Sequence, residues 1–214
     1  MNWKTFALLL LIGPSLALAK GAKVLPGAEV EAVLAKYRQA KAITAKVKKT
    51  VYQETMQTET KSQGEFYFAK GKLRLEMEEP EHTILVYDGK TIWFESRLDD
   101  QHVTVTKMRA TDLHKSDSLL AALFERKDVL HSFNLTGTKS AGGGNIYSYQ
   151  AKDQKKSDVR FLEIALKSKE IQRITYRDQI ENRVTLEFSG LSKAAVPAAK
   201  FAYKPPKHAE ITEP

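Results

Sequence analysis

Five histidines stand at positions 82, 102, 114, 131 and 208. Histidine is the side chain best suited to metal ligation and to proton transfer near neutral pH. Their spacing supports neither role. No H-x-H, H-x-x-H or H-E-x-x-H pattern occurs, and the chain has no cysteine to complete a zinc set. Glu78-Glu79 and Asp99-Asp100 are adjacent acids. Successive strand residues point to opposite faces, so neither pair is a natural carboxylate dyad. No G-x-S-x-G run raises a serine nucleophile. Gly142-Gly143-Gly144 lacks the Lys and Ser/Thr that follow in a phosphate-binding loop. These residues predict no enzyme, no cofactor and no metal.

The chemistry with material behind it is apolar burial. Residues 64–77 contain Gly64-Glu65-Phe66-Tyr67-Phe68 and Lys72-Leu73-Arg74-Leu75-Glu76-Met77, which alternate apolar and polar residues as half-buried strands do. Ile84-Leu85-Val86-Tyr87 and Thr91-Ile92-Trp93-Phe94 flank Asp88-Gly89, a strong hairpin signal. A two-residue turn there pairs Tyr87 with Lys90 and Val86 with Thr91. Leu85 then shares a face with Ile92, and Ile84 shares one with Trp93. Both faces of the hairpin are apolar, whereas a surface hairpin needs only one. Something apolar must cover the second face: a core, a helix or a ligand.

The elements that position these residues follow from periodicity. Residues 28–41 carry Val30, Val33, Leu34 and Tyr37 on one helical stripe. From Thr44 to Phe94 the pattern is strands, with Val47, Lys49 and Val51 alternating with Lys48 and Thr50. Gln101 to Met108 reads as a further strand. Residues 112–126 return to helical spacing through Leu113, Leu119, Leu120, Leu123 and Phe124, with Ser116 or Asp117 as N-cap. Strands follow at His131–Leu135, Ile146–Ala151, Arg160–Leu166, Ile171–Tyr176 and Arg183–Phe188. In the tail, Phe201 and Tyr203 share a strand face before Pro205-Pro206. The spacing predicts one large antiparallel sheet, curled or half closed into a barrel.

The chain has 214 residues and a formal net charge of +8. Basic charge points to nucleic acid when it clusters with stacking aromatics. Lys46, Lys48, Lys152, Lys167 and Lys169 instead alternate with apolar residues, as outward faces do, so no nucleic-acid partner is expected. Attraction to an anionic membrane surface or an acidic partner is compatible with the charge. At the N-terminus, Lys4 precedes an apolar stretch from Phe6 to Leu18 that ends Ala17-Leu18-Ala19. This predicts a secretory signal over residues 1–19, cleaved near Ala19, because the stretch is shorter than the roughly 20 residues of a membrane span. Residues 20–214 are then a single domain in an exported, periplasmic protein without disulfide staples. No cysteine lies near the cleavage site to accept a lipid.

Four pieces of the chain carry a resemblance. They are Gln63-Gly64-Glu65-Phe66, Leu73-Arg74-Leu75-Glu76, the block from Ile84 to Phe94, and the tail Ala198-Ala199-Lys200-Phe201-Ala202-Tyr203-Lys204-Pro205-Pro206. In their order and spacing the chain resembles the LolA family, soluble periplasmic carriers of outer-membrane lipoproteins. The resemblance implies a mainly β fold with α: an incomplete, half-open antiparallel β-barrel covered by an amphipathic helical lid. It implies a monomer with three kinds of partner: acylated lipoproteins, an inner-membrane lipoprotein-releasing ABC transporter and an outer-membrane lipoprotein receptor. Residues 28–41 and 112–126 would form the lid. Phe66, Phe68, Leu73, Leu75, Met77, Trp93, Leu119, Leu120 and Leu123 are the expected acyl-chain lining. Family members often carry an Arg-Pro pair whose arginine locks the lid. This chain has Lys70-Gly71 there, and Lys70 lacks the forked guanidinium. Lys70 and Arg74 are the candidates for lid locking or partner docking. A sensor of the RseB type uses a related fold with a second domain, and a carrier of another lipid is the alternative function.

Overall fold

The structure, a computed structural model, describes residues 27–78, 80, 82–109 and 118–213. A first helix, α1 (Ala28–Gln39), leads into six consecutive strands: β1 (Ile43–Gln53), β2 (Thr58–Ala69), β3 (Lys72–Met77), β4 (Thr83–Tyr87), β5 (Thr91–Arg97) and β6 (Val103–Arg109). A short helix α2 (Leu119–Glu125) and a 3-10 turn (Val129–Ser132) precede five more: β7 (Phe133–Ala141), β8 (Gly144–Ala151), β9 (Val159–Lys167), β10 (Glu170–Asp178) and β11 (Arg183–Ser192). A second 3-10 turn (Ala198–Phe201) and a short β12 (Glu210–Thr212) complete the chain.

All twelve strands form one sheet, in the order β12-β6-β5-β4-β3-β2-β1-β11-β10-β9-β8-β7. Every pairing is antiparallel except β12 against β6. The edge strands β12 and β7 are not paired to each other, so the barrel is open. One chain reversal joins the halves: β1 pairs with β11 along most of its length, Lys48 opposite Glu187 and Val51 opposite Val184. Gly64 is required where β2 meets β3. A Cβ there would lie 1.8 Å from the Glu76 carbonyl oxygen.

Alternation along the strands separates two faces. On the concave face Phe66, Leu75, Leu85 and Phe94 stand side by side on β2 to β5, and Phe68, Leu73, Tyr87 and Ile92 form the next row. These rows join Val30, Leu34 and Tyr37 of α1 and the apolar residues of α2 in one core. On the convex face Arg74, Val86, Trp93 and Lys107 form a row, with Glu76, Ile84, Glu95 and Val105 beside it.

The second apolar face of the β4–β5 hairpin is covered by the C-terminal tail. Tyr203 packs on Trp93 with ring centroids 5.5 Å apart and donates a 2.5 Å hydrogen bond to Glu95. Phe201 is buried with Ala42 and Ala69. The tail is not the strand that its alternation predicts. Its described backbone-to-backbone hydrogen bonds before β12 are those of the 3-10 turn, Lys200 to Pro197 and Ala202 to Ala199, and of Ala209 to Pro206. Pro197, Pro205 and Pro206 supply no backbone donors, which favours a strap held by side chains.

The hairpin register also differs from expectation. Tyr87 pairs with Ile92 and Val86 with Trp93, so the loop is longer than two residues. Asp88 is the reason: its carboxylate accepts from the backbone of Lys90 and Thr91, both at 2.8 Å, and this Asx geometry closes the wider turn. The shift moves each partner by two residues and leaves every side chain on its face.

Helix α1 matches the expected segment. The described part of the second helical segment starts at Leu119, with Ser118 as N-cap residue. Leu113, Ser116 and Asp117, and the expected leader over residues 1–19, lie outside the described residues. Residues Leu119 to Phe124 are all buried, so α2 is a plug within the concavity rather than an amphipathic surface helix.

Candidate functional site

The concave face keeps an unfilled cavity of about 240 Å³, lined from β1, β3, β4, β5, β10 and β11. Leu75, Met77, Leu85 and Phe94 make one wall, and Val51, Val184 and Leu186 make the other. Leu120 of α2 reaches in from the roof. Polar groups also line it: Lys49, Thr83, Tyr176, Asp178 and Asn182. Asp178 is occupied by its own turn, accepting from Ile180 and Asn182 backbone amides at 3.0 and 2.9 Å and from the Asn182 amide at 3.1 Å.

The cavity is smaller than the ~300–1,000 Å³ of pockets that enclose drug-sized ligands. The roof accounts for that. Phe124 stacks on Tyr37 at 5.7 Å and packs on Phe66 and Phe68 at 5.0 and 5.6 Å. The α2 side chains fill space that the strands would otherwise leave open.

One arginine holds the roof. Arg38, in the last turn of α1, donates from Nη1 to the carbonyl oxygens of Leu123 at 3.2 Å and Arg126 at 2.7 Å. Its Nη2 contacts Glu31 at 3.3 Å. Those carbonyls belong to the C-terminal end of α2, where backbone acceptors lack helical partners and the helix dipole favours a cation. Tyr37, the neighbour of Arg38, accepts a 3.0 Å hydrogen bond from the Ile171 amide, and burial pushes its hydroxyl pKa up to about 12. Glu125, at the end of α2, is pushed above the usual carboxylate range by burial, with Arg38 opposing the shift.

The structure groups eight of the nine expected lining residues. Phe66, Phe68, Leu73, Leu75, Met77, Leu119, Leu120 and Leu123 all belong to the concave core, and Leu75, Met77 and Leu120 border the open volume itself. Trp93 is the exception. It lies on the convex face against Tyr203, with the Lys107 ammonium 5.8 Å from its ring centre. Both faces of its hairpin are apolar, so alternation alone could not place it.

Lys70 is exposed in the β2–β3 turn with a left-handed backbone, φ 50°. Arg74 bonds Glu76 at 2.6 Å on the convex face. Among the described residues, the contacts of Lys70 and Arg74 do not include α2, and residues 110–117, which include the start of the expected lid, lie outside the described residues. Arg38 was missed, although a signal existed: Val30, Leu34 and Arg38 follow i, i+4, i+8 spacing, which sets a charge on the buried stripe.

A larger hollow of about 560 Å³ lies on the convex side, lined by Glu65, Glu76, Glu78, Glu95, Asp99 and Asp100 among others. Its acidic wall does not suit hydrocarbon. Among the described residues, no group of three His, Asp or Glu is placed to hold a metal ion. No helix of the described residues is long and apolar enough to cross a membrane.

The family model described as outer membrane lipoprotein carrier protein LolA matches residues 38–204. The chain belongs to the LolA family. A protein of Chromobacterium violaceum named outer-membrane lipoprotein carrier protein is 28% identical over 144 residues, 66% of this chain and 66% of that protein. A protein of the same name from Photobacterium profundum is 24% identical, over 63% of each chain. The matches therefore span just under two thirds of these relatives' length. An uncharacterised conserved protein from Thermus thermophilus shares the fold at 14% identity, with a TM-score of 0.51 over 88% of this chain and 99% of that one. A LolA superfamily protein from Nitrosomonas europaea is 12% identical with a TM-score of 0.44, over 81% and 97%. The matched span takes in Arg38, every strand from β1 to β11 and the tail through Tyr203.

Proposed function

We propose that this LolA family chain is a periplasmic carrier that takes up the acyl chains of lipoproteins released at the inner membrane and delivers them to an outer-membrane receptor. It acts by binding and not by covalent catalysis. The observation that carries the reading is the roofed apolar cavity: a concave sheet whose filling is a short helix, pinned to its neighbour by one guanidinium on two carbonyls.

The physical problem is release. Each buried CH₂ is worth about 0.8 kcal/mol, so one long acyl chain exposed to water costs on the order of 10 kcal/mol. A rigid hydrophobic pocket would hold such a chain too tightly to pass it on. Here α2 occupies the concavity when no acyl chain does. Loading exchanges one apolar filling for another, and affinity is the difference between them. Arg38 adds a polar cost to opening, since its two carbonyl partners must be given up. Phe66, Phe68, Leu73, Leu75, Met77 and the three α2 leucines are the proposed acyl contacts, with Trp93 removed from the set.

The test is incubation of the tagged protein with spheroplasts, followed by mass spectrometry of what it carries. Acylated lipoproteins on the wild type support the reading. Free lipid alone would favour a carrier of other lipids. Leu120→Glu sets a charge in the cavity, and undiminished lipoprotein uptake by that variant would remove α2 from the mechanism.

A further inference from the structure

Two neighbouring turns hold aliphatic side chains out in water. Met56, in the β1–β2 turn, is 68% exposed, and Ile180, in the β10–β11 turn, is 67% exposed. The turns are neighbours because β1 pairs with β11 as far as Tyr52 opposite Arg183. Both are fixed from within. The Gln57 side chain accepts a 2.6 Å hydrogen bond from the Tyr52 hydroxyl and donates one of 2.7 Å to the Glu54 carbonyl oxygen. The Asp178 carboxylate ties the second turn. A single exposed aliphatic is ordinary on a protein surface. Two on adjacent, internally bonded turns make a paired apolar tip at one end of the sheet.

Directly behind the tips, one row of the convex face reads Tyr52, Arg183, Arg177 and Phe161, on β1, β11, β10 and β9. The Arg183 guanidinium lies 5.2 Å from the Tyr52 ring centre, and that of Arg177 lies 5.8 Å from the Phe161 ring centre. The two arginines stand opposite each other, a like-charge pairing that weakens a sheet. Behind them come Thr50, Thr185 and Thr175, then Lys48, Glu187 and Arg173. Over these rows of β1, β11 and β10 the cations Lys48, Arg173, Arg177 and Arg183 share the face with one carboxylate, Glu187. The C-terminal strap lies elsewhere on the convex face, against Glu76 and Glu95.

Aliphatic tips, then aromatic rings with guanidinium groups, then further cations is the order of layers that a membrane interface accepts. An acidic protein surface would match the cations and leave the tips in water. A bilayer with anionic lipids matches both. We propose that the β1–β2 and β10–β11 turns, with the convex row behind them, dock on an anionic phospholipid bilayer. Met56 and Ile180 enter the interface, and Arg177 and Arg183 meet lipid phosphates. On the concave side of the same strand ends, Val51, Tyr176 and Val184 line the cavity, so docking brings the cavity to the membrane. The docking surface goes beyond the carrier reading and does not depend on it.

The experiment floats protein beginning at residue 20 with vesicles of phosphatidylcholine, alone or mixed with phosphatidylglycerol, at low and high salt. It compares wild type with the pair Met56→Ser and Ile180→Ser, the pair Arg177→Gln and Arg183→Gln, and Leu98→Ser. Circular dichroism checks each fold. Leu98 is 85% exposed but sits beside Asp99 and Asp100 in the β5–β6 turn, so its variant is the control. The expected result is flotation of the wild type with the mixed vesicles, weaker at high salt because ions screen the attraction. Each paired variant should lower binding about ten-fold or more, and Leu98→Ser should leave it unchanged. Wild-type flotation by either paired variant, equal loss in all three variants, or equal binding of the wild type to both compositions would overturn the surface. No flotation at all would also overturn it and leave the cations to an acidic protein partner. Lipoprotein uptake is read separately: a wild type that floats but takes up no lipoprotein overturns the carrier reading alone.

Discussion

The guanidinium of Arg38 reaches carbonyl oxygens 85 and 88 residues away in the sequence, on the turn where α2 ends. Its side chain is 11% exposed, so the bond to Leu123 is partly shielded from water, while the bond to Arg126 lies at the exposed end of α2. Arg38→Met removes both and leaves the two carbonyls without their donor. The expected loss is about 1.5–3 kcal/mol in urea unfolding, with faster amide exchange confined to α2. Arg38→Lys recovers only part, because an ammonium cannot bridge two acceptors as a planar fork does. On the convex face, Arg74 and Lys200 hold the Glu76 carboxyl below its ordinary value of 4.5. A depressed carboxyl stabilises the fold at pH above its unfolded pKa. That contribution fades as pH falls through the native value. Glu76→Gln should therefore flatten the acid limb of a stability–pH profile, below about pH 4.5, and leave the slope above it unchanged.

Among the elements, the C-terminal strap is the one whose shape least follows from its own residues. It crosses the convex face of β2 to β5 through Phe201, Lys200 and Tyr203, whose partners are Ala42 and Ala69, Glu76, and Glu95. β12 then pairs with β6 and so covers backbone groups on β6 that would otherwise invite aggregation. Phe201→Ala should cost about 3 kcal/mol if the strap packs as one unit with the sheet. In protein beginning at residue 20, Trp93 is the only tryptophan. Its emission should shift to the red in this variant as Tyr203 lifts away. A stability loss without that shift would mean that Tyr203 stays docked on its own. The roof helix behaves oppositely. Its seven described residues are too few to be stable alone, so α2 depends on Tyr37, Phe66 and Phe68 for its place.

For the whole molecule, one continuous sheet carries both faces. The concave face takes the roof and the proposed cargo, and the convex face takes the strap. Ligand binding and global stability are linked through the first of these. Saturation at 100 times the dissociation constant should raise stability by about 2.7 kcal/mol. If acyl chains replace α2, exchange of the α2 amides should rise in the same sample while the strands become more protected. Protection of α2 together with the sheet would mean that the ligand binds beneath a closed roof. Hydrogen exchange with bound lipopeptide distinguishes the two.

Much of this was written locally. The alternation of Phe66, Phe68, Leu73, Leu75 and Met77 is enough to specify strands with one common face, because side chains on a strand have a period of two. The stripe of Val30, Val33, Leu34 and Tyr37 specifies α1, and two apolar faces on the β4–β5 hairpin demand covers on both sides. What period cannot say is which cover lies where. Trp93 reads as well for the cavity as for the strap, and the choice rests on Tyr203, 110 positions away, whose ring packs against it. Arg38 announces itself as a charge on an apolar stripe, but its role depends on what faces it, the end of α2. The loop after Tyr87 shows the same division at short range, since Asp-Gly signals a turn while the Asp88 carboxylate sets its length. The sequence by itself determined the elements and their apolar faces, because these depend on neighbours within a few residues. Only the tertiary structure decided which face became cavity and which arginine held it shut, because those contacts join residues that the chain keeps far apart.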